Sequence, residues 1–301
     1  MSAAGLSLLA IGLWTARKKF ARARGIDKVV ALTHLCYGMP FAVFGAEHLS
    51  REGLLLSMVP PYMPWRLFWL YFVGVALIAA SLSIVTQFQV RWSGLLLGIT
   101  MFLFVVMLYI PGAVTVGGRI AWTVVFRELS FGGAGCVLAG TAMSGKGGGQ
   151  AQILLTVGRV LIAITAIFFG VQHFLHPLGL PGVPLLKQMP PWVPACTLID
   201  YLTGAFLLVA GFCFLWGRKT RLAATYLGAW ILLLLLVIYG PVMITALADP
   251  DPARKIEGIS YFADTLLFGG VILSLACAVP IPWTENRFVT RTGPAQKEPV
   301  L

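Results

Sequence analysis

The feature that most constrains this chain is a series of apolar runs, each about as long as a bilayer is thick and separated from the next by a short polar break. A helix needs roughly 20 apolar residues to cross the hydrocarbon core. Eight runs meet that length, at 29–49, 65–87, 92–113, 120–142, 152–175, 197–216, 222–246 and 258–281. Lipid offers backbone N–H and C=O groups no partners, so a spanning run must close its hydrogen bonds internally. None of the runs shows the two-residue alternation of a barrel strand. The expected fold class is therefore all-α: a polytopic membrane protein of about eight transmembrane helices.

Composition supports lipid as the solvent. Of the 301 residues, 58% are hydrophobic and only 11% charged, against roughly 25% charged in soluble domains. The net charge of +11 does not point to nucleic acid, because the basic residues lie in short loops and near the N-terminus without interleaved aromatics. They serve better as a topology signal. With the cluster Arg17, Lys18, Lys19, Arg22, Arg24 and Lys28 placed in the cytoplasm, that side also holds Arg91, Lys146, Arg218, Lys219, Arg221, Arg287, Arg291 and Lys297. The other side holds Arg51, Arg66, Arg119, Lys187, Arg254 and Lys255. Positive charge favours the cytoplasmic face, so both termini are expected there, in a cytoplasmic (inner) membrane. Residues 3–14 are apolar but short, and their charges follow rather than precede them, the reverse of a signal peptide. An interfacial helix is the preferred reading, a short ninth span the alternative. The tail 284–301 is polar.

Cys36, Cys136, Cys196, Cys213 and Cys277 are scattered, with no CxxC or CxxCH. They read as small buried hydrophobes rather than as a disulfide frame, a metal site or a haem attachment.

The sequence also repeats itself. Residues 60–111 align with 190–241 without a gap at 13 identities in 52 positions. The uncommon identities are the informative ones: Pro60/Pro190, Pro61/Pro191, Pro64/Pro194, Tyr71/Tyr201, Gly74/Gly204, Arg91/Arg221, Gly98/Gly228, Tyr109/Tyr239 and Pro111/Pro241. Phe44-Gly45-x-x-His48 recurs as Phe169-Gly170-x-x-His173, and Phe131-Gly132-Gly133 as Phe268-Gly269-Gly270. This predicts two tandem four-helix bundles, 29–143 and 152–283, joined by a Gly-rich linker at 144–151. They are preceded by a basic segment at 1–28. An even number of spans per copy makes the repeats parallel, related by an axis along the membrane normal.

These elements resemble the DoxX/DoxD-like family of four-helix membrane proteins. The matching pieces are Gly45-Ala46-Glu47-His48, then Met58-Val59-Pro60-Pro61-Tyr62-Met63-Pro64, then Arg127-Glu128-Leu129-Ser130-Phe131-Gly132-Gly133. The second copy has Gly170-Val171-Gln172-His173, Met189-Pro190-Pro191-Trp192-Val193-Pro194 and Asp264 before Phe268-Gly269-Gly270. The resemblance implies a membrane component or anchor of a redox system, quinone- or thiol-linked, with a redox partner protein and without a proven activity of its own, or an accessory subunit of a quinone-linked oxidoreductase. The chain departs from the family after Gly74 and Gly204. Relatives place a carboxylate there; this chain has Val75-Ala76-Leu77-Ile78 and Ala205-Phe206-Leu207-Leu208.

Helix rise places His48 roughly 27 Å along the first run, near the outer surface, and Glu128 roughly 12 Å down from the outer start of the fourth. By the same reckoning each bundle gathers a histidine, two tyrosines and a carboxylate in its outer half, beneath the PPxxP loop: His48, Tyr71, Tyr109 and Glu128, then His173, Tyr201, Tyr239 and Asp264. Such groups can hold a quinone headgroup or another small oxygenated ligand. The alternatives stay open at this point. The histidines can bond carbonyls, the tyrosines can form an interfacial belt, Glu128 can pair with Arg127, and the prolines can stop helices. A haem b on His48 and His173 is disfavoured, since nothing else in the sequence suits haem. No Walker, GxSxG, HExxH or metal-cluster motif is present, which argues against a conventional enzyme. A small-molecule transporter, a lipid-binding protein and a structural scaffold remain as competing functions.

Overall fold

The computed structural model describes residues 3–144 and 148–279; the expected polar tail and Lys146, Arg287, Arg291 and Lys297 lie outside them. The fold is all-helical, with no strand among the described residues. Helices are α1 (Ala3–Arg22), α2 (Thr33–Ser50), α3 (Arg66–Val85), α4 (Val90–Val116), α5 (Arg119–Met143), α6 (Gly148–Leu175), α7 (Cys196–Trp216), α8 (Thr220–Ala248) and α9 (Pro252–Ala278). Six of them, α3, α4, α6, α7, α8 and α9, are long and apolar enough to cross a membrane, as a polytopic membrane protein requires. Their outer faces carry exposed apolar side chains such as Phe72, Val75, Leu96, Val106, Val209 and Leu236. In water this surface would be costly.

The other two expected spans, α2 and α5, fall short of that standard. Of the two, α5 is largely interior, and α2 is covered on one side. In α5, residues from Ser130 to Gly140 are buried without interruption. A helix wrapped by other helices can carry Arg127 and Glu128, and need not be apolar throughout.

Packing links the two halves instead of separating them. Helices α2 and α3, α4 and α5, α6 and α7, and α8 and α9 pair closely; α5 also packs along α6, and α9 along α2 and α5. Contacts of α3 with α4 and of α7 with α8 are slighter. The first helix of each half thus rests on the fourth helix of the other. Small residues set these approaches, as expected where lipid supplies no hydrophobic drive between helices. A Cβ on Gly133 would lie 3.1 Å from the Gly158 carbonyl oxygen of α6, and a Cβ on Gly270 would collide with the Cys36–Tyr37 backbone of α2. Tyr37, fully buried, donates to the Phe131 carbonyl at 2.7 Å.

Several expected boundaries are corrected. The N-terminal helix is longer than 3–14 and takes in Arg17, Lys18, Lys19 and Arg22. It packs on α2 and α3, with Thr15 donating to the Val85 carbonyl at 3.0 Å and Lys19 to Gln87 at 2.7 Å. Helix α2 begins at Thr33, after a short turn at Asp27–Val30. Helix α6 begins at Gly148, so the linker's last residues are helical rather than a loose joint. Helix α9 begins at Pro252, because Asp251 caps it, accepting from the Ala253 N–H at 2.9 Å, and proline needs no N–H partner at the first position.

The prolines do not stop α4 and α8. Each helix widens into a π turn, Val105–Tyr109 and Leu235–Tyr239, and continues past Pro111 and Pro241. Proline removes one donor and crowds the carbonyl a turn back. The wider turn, in which Ile110 N–H bonds Val105 O and Gly240 N–H bonds Leu235 O, relieves that crowding. π turns of this kind recur at functional sites.

Candidate functional site

Arg127 stands at the centre of the polar interior. Its guanidinium donates to Glu128 and to Asp264, both at 2.8 Å, and its side chain is 15% exposed. Glu128 and Asp264 are buried. The two carboxylates therefore converge on one arginine across the junction of α5 with α9, instead of serving one bundle each. Counting back from the FGG motifs gives the reason. Arg127 lies four residues before Phe131, and Asp264 four before Phe268, so the sequence counterpart of Asp264 is Arg127 and that of Glu128 is Thr265. One arginine shared by two carboxylates leaves the cluster without surplus positive charge. Nearby, Ser260 donates to Glu47 at 2.6 Å, adding a third carboxylate on the α2–α9 side.

Arg127 is also a wall of a cavity of about 660 Å³. The cavity lies between α4 and α5, roofed by Met58 and Pro60 of the first PPxxP loop, with Tyr109, Gly112, Val116 and Ala121 along its sides. Such a volume is in the usual range for small-molecule sites, roughly 300–1,000 Å³. Residue size is one reason that it opens in this half. In the second half Gly258 lets α9 close on Met243 and Ala246 of α8, where a Cβ would collide with Ala246. The counterparts in the first half are Ala121 and Val116, too large for that approach, and the Ile110–Val116 end of α4 packs less closely on α5 than Gly240–Ala248 of α8 does on α9. Arg127 Nε is buried and has no hydrogen-bond partner. An orphaned donor on a buried cation is costly, and here it belongs to a residue that lines the cavity.

The histidines are placed alike but differ in surroundings. His48 Nδ1 is 2.7 Å from Phe44 O, and His173 Nδ1 is 2.8 Å from Phe169 O. His48 is half-buried. His173 is fully buried, and its Nε2 accepts from the Gly182 N–H at 2.9 Å. This pattern assigns the proton to Nδ1 and leaves the ring neutral. Asp200, buried and 3.5 Å away, therefore faces a lone pair rather than a donor, and the contact is not an ion pair. Asp200 also makes no side-chain cap for α7. A metal or haem on His173 Nε2 would have to displace Gly182. Among the described residues no group of three or more His, Cys, Asp or Glu side chains is placed to hold a metal ion.

Of the four tyrosines, two face away. Tyr71 is exposed and donates to Glu52 at 2.7 Å; Tyr201 is exposed and stacks on Phe174 at 5.5 Å. Tyr109 and Tyr239, each ending a π turn, point inward: Tyr109 lines the cavity, and Tyr239 donates to the Pro181 carbonyl at 2.9 Å. The second PPxxP loop is thus more than a cover, since Leu180–Pro184 are all buried, with Arg119 of α5 donating to the Pro184 carbonyl at 3.1 Å.

Asp200, Glu47 and the Pro181–Gly182 peptide are the site residues that sequence reasoning missed. The pairing of Glu128 with Arg127 was among its alternatives and is what the structure shows; the partnership of Arg127 with Asp264 was not among them. The chain matches no family model, no curated protein and no solved structure.

Proposed function

We propose that the chain is a quinone-binding membrane component of a redox system, built from two tandem, similarly oriented DoxX-like four-helix units whose eight helices all cross the cytoplasmic membrane. The observation that carries the binding reading is the cavity between α4 and α5, apolar along its length and polar where Tyr109 and Arg127 meet it. A quinone ring suits the apolar walls, and its neutral carbonyl suits the Tyr109 hydroxyl and the unpaired Arg127 Nε. An anionic headgroup suits it less, since Glu128 and Asp264 already neutralise Arg127.

Matched local structure supports the tandem reading. Left-handed residues open α3 and α7 at corresponding positions, Trp65 and Ala195, and α4 and α8 at Gln89 and Lys219. The π turns and both histidine bonds also fall at corresponding places. The redox role itself rests on the resemblance.

Purification in mild detergent, followed by mass spectrometry of bound small molecules, tests the reading. A quinone retained at about one per chain is expected. A phospholipid or fatty acid in its place would make this a lipid-binding protein, and an empty chain would remove the ligand altogether.

A further inference from the structure

The two halves treat their inward tyrosines differently, and the difference has a source in the loops. From His48 to Pro60 is twelve positions and from His173 to Pro190 is seventeen, so the second loop is five residues longer. Five consecutive residues of that loop, Leu180 to Pro184, are buried. In the first half Met58 of the shorter loop is 49% exposed, and Arg66 holds that loop at the surface through the Val59 and Leu56 carbonyls, at 3.0 and 2.6 Å.

The buried segment turns one peptide group toward Tyr239 and His173. Its carbonyl, on Pro181, accepts from Tyr239; its N–H, on Gly182, donates to His173 Nε2. Acceptor and donor belong to the same amide, so Tyr239 and His173 read its two edges at once. Gly182 has φ +111, a conformation that an L side chain seldom adopts, and glycine is what allows the turn to present this peptide inward. The flanking Leu180 and Val183 are buried in the core beside it.

We propose that the Pro181–Gly182 peptide is a resident stand-in for the ligand. The second half keeps Tyr239 and His173 closed with its own chain, and the first half alone, through Tyr109 and Arg127 on the cavity wall, accepts a ligand from outside. The protein then holds one ligand per chain although the inward tyrosine occurs twice. The plug also defines the ligand's chemistry: a neutral carbonyl group that accepts from Tyr109, carried on an apolar body. This rests on the ligand-binding reading above and adds stoichiometry and chemical class to it.

The test uses the full chain in detergent with decylubiquinone as probe. Wild-type protein binds one equivalent, and Tyr109→Phe weakens it about tenfold, as the loss of one hydrogen bond predicts. Deletion of residues 180–184, which gives the second loop the length of the first, raises the count to two, and Tyr239→Phe in that background weakens the second equivalent about tenfold. A deletion variant that is monodisperse and still binds one equivalent overturns the proposal. Wild-type protein that binds none overturns the underlying ligand site instead, so the two failures are distinct. A second arm needs no altered loop: N-decylacetamide, an amide on an apolar chain, displaces decylubiquinone competitively from wild type and is weakened in parallel by Tyr109→Phe. Absence of competition also overturns the proposal.

Discussion

Arg127 and Asp264 occupy corresponding positions in the two sequence repeats, and their side chains meet at 2.8 Å. Two copies of a symmetric unit would bring like residues together at such a junction. Like charges there would repel in a low-dielectric interior, and two neutral residues would not order a charged centre. Opposite charges at these two positions make the contact attractive and tie α5 to α9.

Removing one member of this cluster leaves buried charge without a partner. Arg127→Met, which strands Glu128 and Asp264, is expected to cost about 3–5 kcal/mol, read as thermal unfolding in detergent. Asp264→Asn is expected to cost less, since Arg127 keeps Glu128. The double variant Arg127→Met with Asp264→Asn should be more stable than Arg127→Met alone. If it is less stable than either single change, the pairing described here does not govern stability.

The corresponding glycines Gly45 and Gly170 are expected to differ in tolerance. A Cβ at Gly45 would lie 2.6 Å from the Gly74 carbonyl oxygen, a backbone atom of α3 that cannot turn aside; at Gly170 the nearest atom, at 2.7 Å, is the side-chain Cγ of Leu208. Gly45→Ala should lower stability by about 1–3 kcal/mol through overpacking, with Gly170→Ala costing less. Gly53→Ala, where no atom lies within 4 Å of the new methyl, serves as the neutral control. Equal effects at Gly45 and Gly170 would show that backbone proximity is not what limits the α2–α3 approach.

How much of this was legible in the sequence depends on whether the cause is local. Apolar runs of bilayer length mark where α3, α4, α6, α7 and α8 lie, because that length is fixed by lipid and not by neighbours. The bonds of His48 and His173 to the carbonyls of Phe44 and Phe169 are local four-residue contacts, which a reading of the helix alone can offer. The π turns were not legible: Pro111 and Pro241 signal a lost donor, and only the surrounding packing decides between ending the helix and widening it. The Arg127–Asp264 contact was hidden because it depends on which helix of one half meets which helix of the other. The buried loop at 180–184 has no periodicity from which burial could be read; its hydrogen bonds to His173 and Tyr239 are tertiary. Tyr71 and Tyr201 were conserved between the repeats and yet point outward, since repetition of a residue says nothing about its facing.

Gly112 lines the cavity, and a Cβ there would meet no atom within 4 Å. Gly112→Leu should therefore occupy the cavity without strain. Replacing a helical glycine by leucine also favours the helix by up to about 1 kcal/mol. The expected result is a thermal midpoint equal to or above wild type together with loss of retained quinone. Quinone retention at wild-type levels in a stable Gly112→Leu protein would place the ligand elsewhere.

Two similarly oriented copies require the α3–α4 turn and the α7–α8 turn to share one face of the membrane, with the loops after α2 and α8 on the other. In a background lacking the five native cysteines, single cysteines at Arg91 and Arg218 report the first face, and at Arg51 and Asp249 the second. A membrane-impermeant maleimide applied to intact cells should label positions 51 and 249 and spare 91 and 218, because basic residues concentrate with Arg91 and Arg218 and positive charge is retained in the cytoplasm. Disruption of the membrane should then expose 91 and 218 to the same reagent. Labelling that puts Arg91 and Arg218 on opposite faces would make the repeats inverted. Helices α2 and α5 would then not both cross the bilayer, and the α5–α9 junction that joins Arg127 to Asp264 would have to be rebuilt.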